Sequence, residues 1–79
     1  MEIILIVEDK ESMAQMLKET METAGYHPII ARDGMAAPKK VREKKIDAVL
    51  TDLKLPKKDG MEVLKAAKEE NPLLPVILM

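Results

Sequence analysis

Seventy-nine residues allow at most one small domain, and a chain this short buries only about 60% of the surface it exposes when unfolded. Thirteen basic against fourteen acidic residues leave a net charge of −1, which gives no electrostatic basis for direct binding to nucleic acid or to an anionic membrane. With no cysteine there is neither a disulfide framework nor a thiolate metal site; the apolar 47% is aliphatic, with seven Met, one Tyr and no Phe or Trp.

The chain opens on Ile3-Ile4-Leu5-Ile6-Val7, an aliphatic and largely β-branched run. A strand apolar on both faces belongs inside a parallel sheet. The run leads straight into Glu8-Asp9-Lys10, with no basic leader and no small-residue cleavage site before it. The expectation is therefore a cytoplasmic protein, without a signal peptide or membrane span. From about Lys10 to Ala24 the spacing predicts a helix, with Met13, Leu17, Met21 and Ala24 on its apolar side, Met16 beside them and Gly25 as a left-handed stop. Methionines at this spacing are expected to fill core. Tyr26-His27-Pro28 turns the chain into a short strand, Ile29-Ile30-Ala31, and the lone His27, with no ligand partner at metal spacing, is expected in a surface loop.

Asp33-Gly34 opens a second helix running to about Lys45. Pro38 falls just past its expected first turn, where the missing N–H begins to matter, which predicts a distorted or late-starting helix. Ile46 to Thr51 is a third strand that delivers Asp52 at its end. After a loop from Leu53 to Lys58, Asp59 is expected to cap a third helix, with Glu62 in capping-box register and Met61, Val63, Leu64 and Ala67 turned inward. Asn71-Pro72 breaks that helix, and Val76 to Met79 reads as a fourth strand needing cover on both faces. An α/β chain ending on such a strand is expected to be part of a larger fold. The order β-α-β-α-β-α-β implies a parallel sheet with right-handed crossovers and helices on both faces.

In open α/β sheets the ligand crevice lies beyond the carboxyl ends of the strands. Glu8 and Asp9 follow the first strand and Asp52 follows the third, so neighbouring strands would bring three carboxylates together. Like charges so close raise one another's pKa unless a cation is present, and Mg²⁺ suits a few carboxylates, a carbonyl and retained waters. Acids at helix N-termini can simply complement the helix dipole. That is the better account of Asp33 and Asp59, and a poor one for the strand-end set. Lys57-Lys58 is expected to be a solvated turn.

Val7-Glu8-Asp9, the stretch Asp52-Leu53-Lys54-Leu55-Pro56-Lys57-Lys58-Asp59-Gly60-Met61-Glu62-Val63-Leu64, and Ala31-Arg32-Asp33-Gly34-Met35-Ala36-Ala37 together resemble the receiver domain of two-component response regulators. The resemblance runs the length of the chain and implies a flavodoxin-like fold. It implies Asp52 as phosphoacceptor, Mg²⁺ held by Asp9, Glu8, Asp52 and the Lys54 backbone carbonyl, and Pro56 and Gly60 shaping the adjacent loop. It also implies a sensor histidine kinase as donor. Lys54, two residues after the acceptor, occupies a position that in the family affects how long the phosphoryl group survives.

Receivers have five β-α units, so residues 1–79 correspond to the N-terminal part of one, lacking the last strand and last two helices. The expectation is that switching is impaired or lost. Uncovered aliphatic side chains on the sheet and an apolar edge strand further predict a homodimer or higher assembly. The alternative function is a non-signalling, self-associating structural module that keeps the half-fold. An enzyme such as a metal-dependent phosphatase is the weakest reading, since no general acid or base and no Gly-rich phosphate cradle is present.

Overall fold

The computed structural model describes residues 2–43, 45–52 and 60–79. The elements in chain order are β1 (Ile3–Val7), α1 (Glu11–Thr23), β2 (His27–Ala31), α2 (Ala37–Glu43), β3 (Ala48–Thr51), α3 (Gly60–Glu70) and β4 (Val76–Leu78). All strands are parallel, in the order β2-β1-β3-β4. β1 pairs with β2 on one side and with β3 on the other, so the order reverses direction between β1 and β3, which makes that gap the switch point of the sheet.

The aliphatic run of β1 is explained by this central place. Leu5 and Val7 face a core built with Ala31, Val49, Ala37 of α2, Val63 and Ala67 of α3, and Leu74. By alternation Ile4 and Ile6 face the opposite layer, where α1 packs on β1 and β2. Both are buried, so β1 is covered on both faces by the chain itself. The apolar side chains left in the open are instead Ile77 and Leu78 on β4, the flanking Leu73 and Met79, and several methionines.

Local chemistry explains the helix boundaries. α1 ends in a Schellman arrangement: Gly25 takes φ +95°, its N–H donates to Glu22 O, and Tyr26 N–H donates to Met21 O. α2 starts late, at Ala37, so that Pro38 falls in the first turn, where no N–H is needed. The turn before it is held by Asp33, whose Oδ1 accepts from Ala36 N at 3.0 Å. α3 stops at Glu70; Asn71 N–H still donates to Ala67 O, and Asn71 Oδ1 accepts from Leu73 N beyond Pro72. The capping role expected of Asp59 lies outside the described residues.

Three expectations need correcting. β2 starts at His27 rather than Ile29, and Pro28 lies within it. β2 is an edge strand, where a residue without an N–H costs no ladder bond. His27 is exposed, as expected, but in a strand rather than a loop, its N–H donating to Glu2 O. The methionines do not fill the core as a group: Met13, Met16, Met35 and Met61 are all exposed. α1 meets the sheet through the small Ala14, with Leu17 and Met21 half-buried, so its buried stripe is rotated away from Met13 and Met16. In α3 the inward residues are Val63 and Ala67, with Leu64 half-buried and Met61 outside. No described helix is long and apolar enough to cross a membrane.

Candidate phosphoacceptor and metal site

The ladder that joins β1 to its neighbours continues one step past the strand and so places the site. Asp52 N–H donates to Val7 O at 3.0 Å, and Glu8 N–H donates to Ala31 O at 3.0 Å. These bonds hold the first residues of two loops side by side at the β1/β3 switch point. Carboxylate oxygens of Glu8, Asp9 and Asp52 lie within 4.8 Å of one another, so the structure brings the three acids together.

Their environments differ. Glu8 is only 2% exposed, whereas Asp9 and Asp52 are half-buried. Burial pushes the Glu8 carboxyl above the ordinary glutamate value of 4.5. The Lys10 N–H, donating to Glu8 Oε1 at 3.2 Å, opposes that shift. The Asp52 charge and a side-chain hydrogen bond with Asp52 add to it, as does the Asp9 charge. Carboxylates this close repel one another, and a cation held among them would remove that repulsion. Asp9 Oδ1 is buried and has no hydrogen-bond partner among the described residues. Its backbone carbonyl accepts from Arg32 Nη2 at 3.3 Å, a bond that ties the β1–α1 loop to the end of β2.

An orphaned carboxylate oxygen beside two further acids is the donor set of a hard divalent ion, and the residues present fit Mg²⁺. Lys54, the expected carbonyl ligand, lies outside the described residues, as do Pro56, Lys57 and Lys58. Gly60 is buried at the start of α3. Asp33 belongs to the turn before α2, as expected. The sequence reasoning missed Lys10, Met13 and Met79, which line a recess together with Glu8 and Asp52. Lys10 directly follows the acidic pair, which is the one local signal that pointed to it. The placement of Met79 depends on β4 pairing with β3, a long-range fact.

Sheet order, helix layering and a strand-end acidic site at the switch point define a flavodoxin-like α/β protein. The response regulator receiver domain model matches residues 4–79, and the chain belongs to that family. Receiver domains serve two-component systems, in which they generally take phosphoryl groups from sensor histidine kinases. Among relatives, the chain is 38% identical over 76 residues to the alkaline phosphatase synthesis transcriptional regulatory protein PhoP of Bacillus subtilis, covering 96% of this chain and 32% of PhoP. It is 37% identical to the polar-differentiation response regulator DivK of Brucella anthropi, covering 94% of this chain and 62% of DivK. Among solved structures, the response regulator TrrA of Thermotoga maritima, in complex with Mg²⁺-BeF, superposes with a TM-score of 0.94 at 31% identity, covering 99% of this chain and 68% of TrrA. The chain thus spans about a third of PhoP's length and just under two thirds of DivK's.

Proposed function

We propose that this chain is a phosphoacceptor module of a two-component phosphorelay, in which Asp52 takes the phosphoryl group. The observation that carries the reading is the convergence of Glu8, Asp9 and Asp52 within 4.8 Å at the β1/β3 switch point, with Asp9 Oδ1 left unpartnered. Asp52 is the nucleophile because it directly follows β3 with its backbone N–H held by Val7 O, a fixed position from which a carboxylate oxygen can meet phosphorus in line. Asp9 and Glu8 would hold Mg²⁺ with Asp52 and the Lys54 carbonyl. Bound there, the ion would neutralise charge on the acceptor and the incoming phosphoryl oxygens. A sensor histidine kinase is the donor on this reading, and the setting is cytoplasmic.

The decisive test is incubation with acetyl phosphate and Mg²⁺, followed by intact-mass analysis. A single phosphoryl adduct, absent from Asp52→Asn and from samples with chelator, is the expected result. An unmodified wild type under these conditions would reject the proposal.

A second reading is favoured by a specific observation. Ile77 on the edge strand β4 is 57% exposed and borders an apolar groove shared with Ile4, Met21, Tyr26 and Leu50. A self-associating structural module, dimeric or larger, would cover that groove without any phosphoryl chemistry. The two readings part on Asp52 phosphorylation.

A further inference from the structure

Among the described residues two polar side chains are buried, Glu8 of the acidic cluster and Thr51. Thr51 is fully enclosed, at 0% exposure, and is the last residue of β3, directly before Asp52. Its register partners are Val7 on β1 and Leu78 on β4, so it stands in the middle of the sheet, where an aliphatic side chain would pack with no polar group to satisfy. A hydroxyl taken out of water costs free energy unless it is hydrogen-bonded. Here the bond runs forward along the chain: Thr51 Oγ1 donates to the backbone carbonyl of Asp52 at 3.1 Å. A β-branched side chain has few χ1 rotamers, so the strand itself holds the donor in place. Asp52 N–H is already held by Val7 O at 3.0 Å, and Met79 N–H donates to Thr51 O at 2.9 Å. The main chain of Asp52 is therefore fixed on both sides of its Cα, at the N–H by β1 and at the carbonyl by Thr51.

We infer that Thr51 is a positioning residue for the acceptor, its buried hydroxyl setting the direction in which the Asp52 side chain leaves the backbone. The inference deepens the phosphoacceptor reading and rests on it. In transfer from acetyl phosphate, an Asp52 carboxylate oxygen forms a bond to phosphorus as the P–O bond to the acetyl group breaks, and the bonding pair leaves with acetate. Thr51 takes no part in those bonds and exchanges no proton with them. Its effect is geometric. A displacement of about 1 Å at a reacting atom can cost on the order of a hundredfold in rate. Binding of Mg²⁺ depends less on the aim of this one side chain, since Glu8, Asp9 and retained waters would share the coordination. Loss of the hydroxyl therefore slows transfer more than it weakens metal binding.

Two matched pairs of proteins test this. The wild type and Thr51→Val share a side-chain shape and differ in the hydroxyl; Thr51→Ser and Thr51→Ala differ in the same way once the buried methyl is gone. Each is measured for its rate of adduct formation over a range of acetyl phosphate at saturating Mg²⁺, for its melting temperature, and for Mg²⁺ affinity by calorimetry. Within each pair the protein that keeps the hydroxyl is expected to reach a maximal rate about tenfold higher, with the half-saturating acetyl phosphate unchanged and Mg²⁺ affinity within about threefold. Loss of the methyl should lower the melting temperature of Thr51→Ser below that of the wild type without the tenfold loss of rate, so that rate follows the hydroxyl and not stability. Thr51→Val at the wild-type rate overturns the inference, and so do rates that track melting temperature across the series, the mark of a packing role. If Thr51→Val does not fold, the second pair decides by itself. If the wild type takes no phosphoryl group, the phosphoacceptor reading fails and this inference with it; normal wild-type transfer with no difference inside the pairs removes the inference alone.

Discussion

Ile3 and Asp47 hold each other by two hydrogen bonds. Ile3 N–H donates to Asp47 Oδ2 at 2.7 Å, and Asp47 N–H donates to Ile3 O at 2.8 Å. Asp47 is the residue before β3, so the pair closes the amino end of the β1–β3 ladder whose carboxyl end carries Glu8 and Asp52. In a parallel pair a slip of one residue would turn every side chain to the other face. The clasp therefore fixes the register on which the site depends. Asp47→Ala removes the acceptor and leaves a partly buried N–H unpaired, which should cost about 1–2 kcal/mol. Asp47→Asn retains an oxygen acceptor and should lose less. Urea denaturation of the three proteins checks this order.

Glu8 makes the stability of the metal-free protein depend on pH in a definite sense. Its folded-state pKa is raised, so the folded protein holds that proton more tightly than the unfolded chain does. The stabilisation is therefore fully present below the ordinary value of 4.5 and is lost as pH rises through the raised folded-state value. In chelator, Glu8→Gln should remove that slope and melt at a higher temperature than the wild type at neutral pH. Melting curves between about pH 4 and pH 8 decide it. A wild type whose stability instead rises across this window, with Glu8→Gln following it, would contradict the assignment.

Mg²⁺ should reverse the balance at neutral pH. A cation among the three acids removes their repulsion and gives Asp9 Oδ1 a partner, so the melting temperature should rise with added Mg²⁺. In Asp9→Asn the cluster carries one charge less. The metal-free protein should then be at least as stable as the wild type, while Mg²⁺ affinity falls about tenfold or more. Thermal melts with and without Mg²⁺ give both quantities. A Mg²⁺ response that survives in Asp9→Asn would place the ion elsewhere.

The architecture is legible in the sequence wherever local chemistry decides it. An aliphatic run without alternation marks β1 as central, Gly25 marks the end of α1, and strand-end acids mark the crevice. Pro38 likewise announces the late start of α2. What the sequence leaves open depends on partners distant along the chain. Pro28 reads as a strand breaker until β2 is known to be an edge. The methionine spacing in α1 fits a buried face at two rotations of the helix, and only packing on β1 and β2 selects the one through Ala14. The site divides in the same way. Its carboxylates follow from position in the strands, whereas the walls supplied by Met13 and Met79 need the assembled sheet.

The open side of β4 leads to the last prediction. Leu50 pairs in register with Ile77, and both border the groove on the face where α1 packs on β1 and β2. Leu78 and Met79 extend the exposed apolar surface along the same edge. An edge strand with free backbone groups and exposed aliphatic side chains is a template for pairing with another chain. Light scattering over a concentration series should therefore show a dimer or larger species. Ile77→Lys places a charge in the groove and on the edge together, and should weaken that association about tenfold or more, since one buried aliphatic side chain contributes roughly 1.5–3 kcal/mol. Ile77 is not among the residues that line the acidic recess, so a monomeric Ile77→Lys protein that still takes a phosphoryl group would separate assembly from acceptor chemistry. A wild type that stays monomeric across the series would remove the structural-module reading.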